Sequence, residues 1–131
     1  MIELRTLGGL ELRDERGGDL CGKLQPKRLA LLIYLAHAPR RFHRRDSLMA
    51  LFWPELDTGG ARNSLRQSLY ELRRTLGKGV LEGRGYEEIA VVERFLWSDA
   101  VAFDLALGAN HAERALELYR GDLLEGFHVQ N

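Results

Sequence analysis

Residues 61–76 read ARNSLRQSLYELRRTL, and this stretch decides how the rest of the chain is understood. Ala61, Leu65, Leu69 (or Ser68), Leu72 and Leu76 recur at spacings of three and four, which places them on one side of a helix. At 1.5 Å per residue that helix would be roughly 24 Å long. Gly77 is its natural stop, because glycine readily takes the backbone conformation that ends a helix. The opposite side carries Arg62, Arg66, Tyr70 and Arg73 in one row and Asn63, Gln67, Tyr70 and Arg74 in the next, with Glu71 the only acid. Exposed helices usually mix Glu with Lys and Arg so that i,i+4 pairs form. The bias here is to arginine. Long donors, amides and a phenol suit base edges and phosphates, since Arg bonds guanine, and Asn or Gln adenine, through paired hydrogen bonds. Arg62, Asn63, Arg66 and Gln67, near the helix start, are the expected base readers. Tyr70, Arg73, Arg74 and Lys78 are the expected phosphate contacts, which position a protein without specifying sequence.

Working outward toward the N-terminus, residues 25–38 (QPKRLALLIYLAHA) predict a helix. Pro26 suits its first turn, Leu29, Leu32, Ile33 and Leu35–Ala36 recur at helical spacing, and Pro39 ends it. The basic stretch 40–45 (RRFHRR) follows, and then SLMALFW with Leu48, Leu51 and Phe52 expected on one face. Residues 54–60 (PELDTGG) read as a loop with two acids. At the front, IELRTL (2–7) and LELR (10–13) alternate around Gly8–Gly9, which predicts a hairpin burying Ile2, Leu4, Leu10 and Leu12. Residues 19–22 are a candidate third strand.

Toward the C-terminus, VLEGRGYEEIAVV (80–92) predicts a short hairpin and FLWS a last strand. Asp99 is the expected cap of one further helix and Asn110 of another, the second with a stripe of Ala112, Ala115, Leu116 and Tyr119. Trp53 and Trp97, at element ends in apolar surroundings, are expected core anchors. Leading strands, three helices and a hairpin are the order of a winged helix-turn-helix with an N-terminal sheet. In that order Arg40, Arg41, His43, Arg44 and Arg45 lead into the middle helix, which lies across the phosphate backbone. Arg84 is expected at the hairpin tip, where it either enters a minor groove or stands as an exposed turn residue, with Glu87 and Glu88 close behind.

The charge follows the same division. The 131 residues carry 19 basic and 19 acidic side chains, net zero, yet residues 23–78 sum to +8 and the flanks to −8. A basic centre in a neutral chain points to a local anionic partner, or to flanks that fold back and neutralise it.

The segments LQPKRLALLIYLA (24–36), SLMALFWPE (47–55), ARNSLRQSLYELRRTLG (61–77), FLWSDAVAF (95–103) and ALELYRGDLLEGFH (115–128), in this order, resemble the SARP-type bacterial transcriptional activators. The resemblance spans about residues 2–129 and implies an α+β fold. Residues 1–98 would form an OmpR-like winged-helix DNA-binding domain with an N-terminal β-sheet and a C-terminal hairpin wing. Residues 99–131 would begin an all-α, TPR-like bacterial transcriptional activation domain, normally larger than the two helices present here. The expected function is sequence-specific binding of double-stranded DNA through helix 61–76, with tandem or dimeric units on direct repeats and activation through RNA polymerase. Loop 54–60 falls where OmpR-like domains meet a polymerase subunit, so Glu55 and Asp57 would face a basic partner surface. Leu123, Leu124 and Phe127 are expected to be partly exposed. A protein-interaction module without DNA binding is the alternative.

Other classes find no support in the residues. The single Cys21 excludes an internal disulfide framework and a Cys-rich zinc site, and the four histidines lack ligand spacing. GKG at 77–79 lacks the spacing of a phosphate-binding loop. No nucleophile–base arrangement is recognisable, so no enzyme and no cofactor are expected. The longest apolar run, 29–36, is too short to cross a bilayer, and the N-terminus lacks the apolar region of a signal peptide, which together predict a cytoplasmic protein without membrane partners.

Overall fold

A computed structural model describes residues 1–37 and 42–129. In chain order its elements are β1 (Ile2–Arg5), β2 (Glu11–Arg13), α1 (Pro26–His37), β3 (His43–Arg44), α2 (Arg45–Phe52), α3 (Thr58–Leu76), β4 (Leu81–Arg84), β5 (Glu88–Val91), β6 (Leu96–Ser98), α4 (Asp99–Gly108) and α5 (Ala112–Leu118). The fold is mixed α+β, as the sequence predicts. The expected end of α1 at Pro39 lies outside the described residues. Two compact units result, one of residues 1–22 with 94–131 and one of residues 23–93.

The first unit is built on a three-stranded sheet of order β2-β1-β6. β1 and β2 form the expected antiparallel hairpin, pairing Leu4 with Leu12, both fully buried beside Ile2, whereas Leu10 is only half-buried. β6 joins β1 in parallel, Leu96 opposite Ile2 and Ser98 opposite Leu4. No third strand forms at 19–22. Asp19 makes a single bridge to Arg13, and Cys21–Lys23 turn into a short 3-10 helix.

Asp99 does not cap α4. That role falls to Ser98, whose hydroxyl accepts from the Val101 N–H at 3.3 Å. The Asp99 carboxylate turns inward instead, fully buried, and accepts from the backbone N–H groups of Thr6 at 2.8 Å and Leu7 at 3.1 Å. Nor does Asn110 cap α5. It takes a positive φ of 62° in the turn, a conformation asparagine tolerates better than most residues, and His111 holds the cap position. Within α5 the buried residues are Ala115 and Leu118, while Leu116 and Tyr119 are exposed, so the expected stripe is rotated. Trp97 is half-buried rather than a core anchor, with the Arg5 guanidinium 4.9 Å above its ring. Leu123 is exposed, and Leu124 and Phe127 are half-buried, as expected.

The second unit packs three helices beside a sheet of order β3-β5-β4. α1 buries Leu29, Leu31, Leu32, Ile33 and Leu35. α2 buries Leu48 and Met49, while Leu51 faces solvent, because the expected face was set one residue off along an eight-residue helix. Trp53 is buried at the end of α2, as predicted, its ring tilted against that of Phe52 with centres 6.1 Å apart. β4 and β5 pair antiparallel from Leu81–Val91 to Arg84–Glu88, and β3 adds His43 opposite Ile89. The Arg45 N–H donates to the Glu87 carbonyl at 2.7 Å, fastening the hairpin turn to the first residue of α2.

Candidate nucleic-acid interface

The helix α3 buries Ala61, Leu65, Ser68, Leu69, Leu72 and Leu76, the predicted stripe with both members of its ambiguous position. Each fully buried leucine contributes about 1.5–3 kcal/mol relative to exposure, so this face fixes the rotation of the helix about its axis. That rotation leaves Arg62, Asn63, Arg66, Gln67 and Tyr70 exposed together. Arg66 donates to the Asn63 side-chain oxygen at 3.1 Å, which aligns an arginine and an amide from neighbouring turns. The oxygen keeps a second lone pair and the amide its N–H groups, so the pair retains donors and an acceptor for base edges.

The helix starts earlier than the sequence suggests. Thr58, Gly59 and Gly60 belong to its first turn, and the connecting segment shrinks to residues 54–57. Two glycines cost about 1 kcal/mol each in a helix. The Asp57 side chain offsets this by accepting from the Gly60 N–H at 2.7 Å, and its negative charge also suits the positive end of the helix. Asp57 is therefore a helix cap. Glu55 lies on the same short segment, exposed, 3.7 Å from the Lys27 ammonium, which in turn sits 5.5 Å from the Trp53 ring centre.

Among the expected phosphate contacts, Tyr70, Arg74 and Lys78 are exposed and Arg73 is half-buried. Arg74 lies 3.9 Å from Glu71 and Arg44 lies 3.8 Å from Asp46, both loose exposed pairs that a stronger anion can displace. Arg45 is half-buried at the start of α2. Arg40 and Arg41 lie outside the described residues. His43 is buried, its ring 5.3 Å from that of Tyr34, and burial pushes its pKa below the ordinary 6.5, so it supports the sheet as a neutral side chain.

Arg84 is not at the hairpin tip. It is the last residue of β4, donates to both Glu88 oxygens at 2.9 and 3.0 Å, and lies 4.2 Å above the Phe42 ring. The paired guanidinium holds the Glu88 carboxyl below its usual range, and the carboxylate raises Arg84 in return. The tip side chain is Tyr86, 96% exposed beside Gly85, which takes a φ of 62°. A tyrosine directly after Gly-x-Gly was readable in the sequence, but the arginine between the glycines drew the reading.

All of these residues fall in the unit 23–93, whose formal charge is +5 against −5 for the other unit. A domain that buries one side of a helix, leaves a row of arginines and amides on the other, and adds a β-hairpin with an exposed tip has the parts of a winged-helix DNA binder. The family described as "Transcriptional regulatory protein, C terminal" matches residues 20–93, and the chain belongs to it. Among solved structures, Mycobacterium tuberculosis EmbR, determined in complex with a low-affinity phosphopeptide, matches over 96% of this chain and 38% of its own, with 23% identity and a TM-score of 0.67. The chain thus spans less than half the length of that structure. No curated protein matches by sequence. The family match bears out the expected OmpR-like winged helix and makes the chain a DNA-binding transcriptional regulator, and the likeness to EmbR shows a shared fold. No helix among the described residues is long and apolar enough to cross a membrane.

Proposed function

We propose that this regulator is an activator that reads operator sequence in the major groove with Arg62, Asn63, Arg66 and Gln67 of α3. Tyr70, Arg73, Arg74, Lys78, Arg44 and Arg45 hold the phosphates on either side. The observation that carries this reading is the row of exposed donors on α3, opposite a fully occupied apolar stripe. The hairpin contributes its Tyr86 tip, and Arg84 shapes the hairpin through Glu88 and Phe42. Binding as tandem or dimeric units on direct repeats, and a functional division into a DNA-binding part (1–98) and the start of an activation part (99–131), complete the proposal. Glu55, exposed on the segment before α3, is its contact with RNA polymerase, and Asp57 serves that segment chiefly by capping the helix.

The test is selection of bound duplexes from a random pool, followed by affinity measured against salt. Counterion release gives log K a slope of about −0.9 per phosphate on log salt, and the candidate phosphate contacts predict about −4 to −6. The selected duplex should outcompete random DNA. Absence of duplex binding even at low salt removes the proposal and leaves a protein-interaction module in its place.

A further inference from the structure

Outside the basic unit, the outer face of the sheet β2-β1-β6 carries an arrangement that the roles above leave unused. Alternation along β1 buries Ile2 and Leu4 and turns Glu3 and Arg5 outward, and the parallel register sets Glu3 beside Trp97 of β6. Arg114, Glu117 and Leu118 of α5 line the same cleft as these three residues, and its volume is about 620 Å³. That is the size of a small-molecule site. The antiparallel register places Glu11 of β2 opposite Arg5, as its natural cross-strand partner. Glu11 is engaged instead by Arg120 at 2.7 Å and by Arg13 at 3.3 Å. Arg5 is left with Glu3 at 3.7 Å and lies over the Trp97 ring, 4.9 Å from its centre. Arg114 in turn is 3.4 Å from Glu117. Both pairs are loose and both glutamates are exposed, so they return to water at little cost when a better acceptor arrives. A carboxylate is such an acceptor, because it meets a guanidinium through two parallel hydrogen bonds. An anion on Arg5 also brings whatever is attached to it against the half-buried indole of Trp97 and the side chain of Leu118. A bare anion gains nothing from that apolar surface, whereas a flat apolar body does.

We infer that this cleft binds a small organic acid, a carboxylate carried on a flat apolar body. Arg5 takes the carboxylate, Trp97 and Leu118 take the body, and Arg114 adds positive charge from α5. The site lies wholly in the unit of residues 1–22 and 94–131, so it goes beyond the DNA-binding reading and stands or falls without it. Occupancy links α5 to β1 and β6 through the ligand.

The experiment is an NMR titration of the full chain with benzoate, acetate and benzyl alcohol at equal ionic strength, following the indole N–H of Trp97, which the W97F variant assigns. Benzoate should shift this signal to saturation and leave the indole of Trp53, in the other unit, unmoved. Acetate lacks the body and benzyl alcohol the charge, so each should bind at least about tenfold more weakly. R5Q should weaken benzoate about tenfold, as expected for the loss of one charge-assisted pair, and R114Q should weaken it less. A Trp97 signal that benzoate leaves in place overturns the inference. So does a shift that R5Q leaves intact, since the acid then sits elsewhere. Acetate matching benzoate also overturns it, because the cleft is then a general anion contact without use for a body. Should R5Q disturb the sheet, W97L decides the matter by calorimetry. Loss of benzoate binding with helix content retained supports the site, and unchanged binding overturns it.

Discussion

Asp99 shows how far a single side chain can depart from the role its position suggests. As the acid that opens a helix it has the chemistry of a cap, yet Ser98 caps, and Asp99 instead accepts the N–H groups of Thr6 and Leu7 more than ninety residues away. Asp99→Ala leaves two buried donors unmet, so it should cost roughly 2–5 kcal/mol, read as a lower urea midpoint at unchanged m-value. Asn, which keeps one acceptor, should cost less. Asp57 carries a parallel lesson. Asp57→Ala removes the cap of α3, at about 0.5–2 kcal/mol, and would confuse any test of polymerase contact. Glu55→Ala combined with Asp57→Ser removes both charges and keeps a capping hydroxyl. This double variant should bind DNA as the wild type does and give less transcript in vitro. Unchanged transcription would dismiss the polymerase role. His43 supplies a pH dependence. Its folded pKa is depressed, so the unfolded chain binds the extra proton first, and stability present above pH 6.5 falls as pH drops through that value. Thermal unfolding followed as the pH falls below 6.5 should show this loss, and His43→Phe should flatten it.

At the scale of the element, α3 was legible because three features of its sequence agree: an apolar stripe with one period, a polar side with one chemistry, and a glycine stop. Its start was not, since two glycines argue against helix and only the Asp57 side chain, bonded to Gly60, overrides them. Short helices were read less well. α5 has seven residues, too few for periodicity to separate Leu116 from Leu118, and α2 gave Leu51 where Met49 is buried. The β-hairpin was found from its alternation, but the salt bridge that takes Arg84 off its tip depends on strand register, which places Arg84 opposite Glu88. A division of labour within α3 remains to be tested. Arg66→Ala should weaken binding to a selected operator by about 1–3 kcal/mol and relax preference at one base pair. Arg74→Ala should weaken operator and random DNA alike, with a shallower salt slope. Equal losses in both variants would show that neither reads a base.

At the scale of the whole molecule, local pattern gives out where distant segments pair. Nothing in the spacing of IELR and LWS announces that β1 and β6 lie parallel, since that partnership depends on backbone geometry rather than on either segment's periodicity. The charge asymmetry was visible from the start, and the fold assigns it cleanly, +5 to the unit of 23–93 and −5 to the other. The parallel pairing also governs how the molecule can be cut. A fragment trimmed to the family limits, 20–93, retains every element of the basic unit. Deleting only the first 19 residues does different damage. It takes away the middle strand of a three-stranded sheet, strips β6 of its neighbour, and abandons the Asp99 carboxylate without the amide protons that justify its burial.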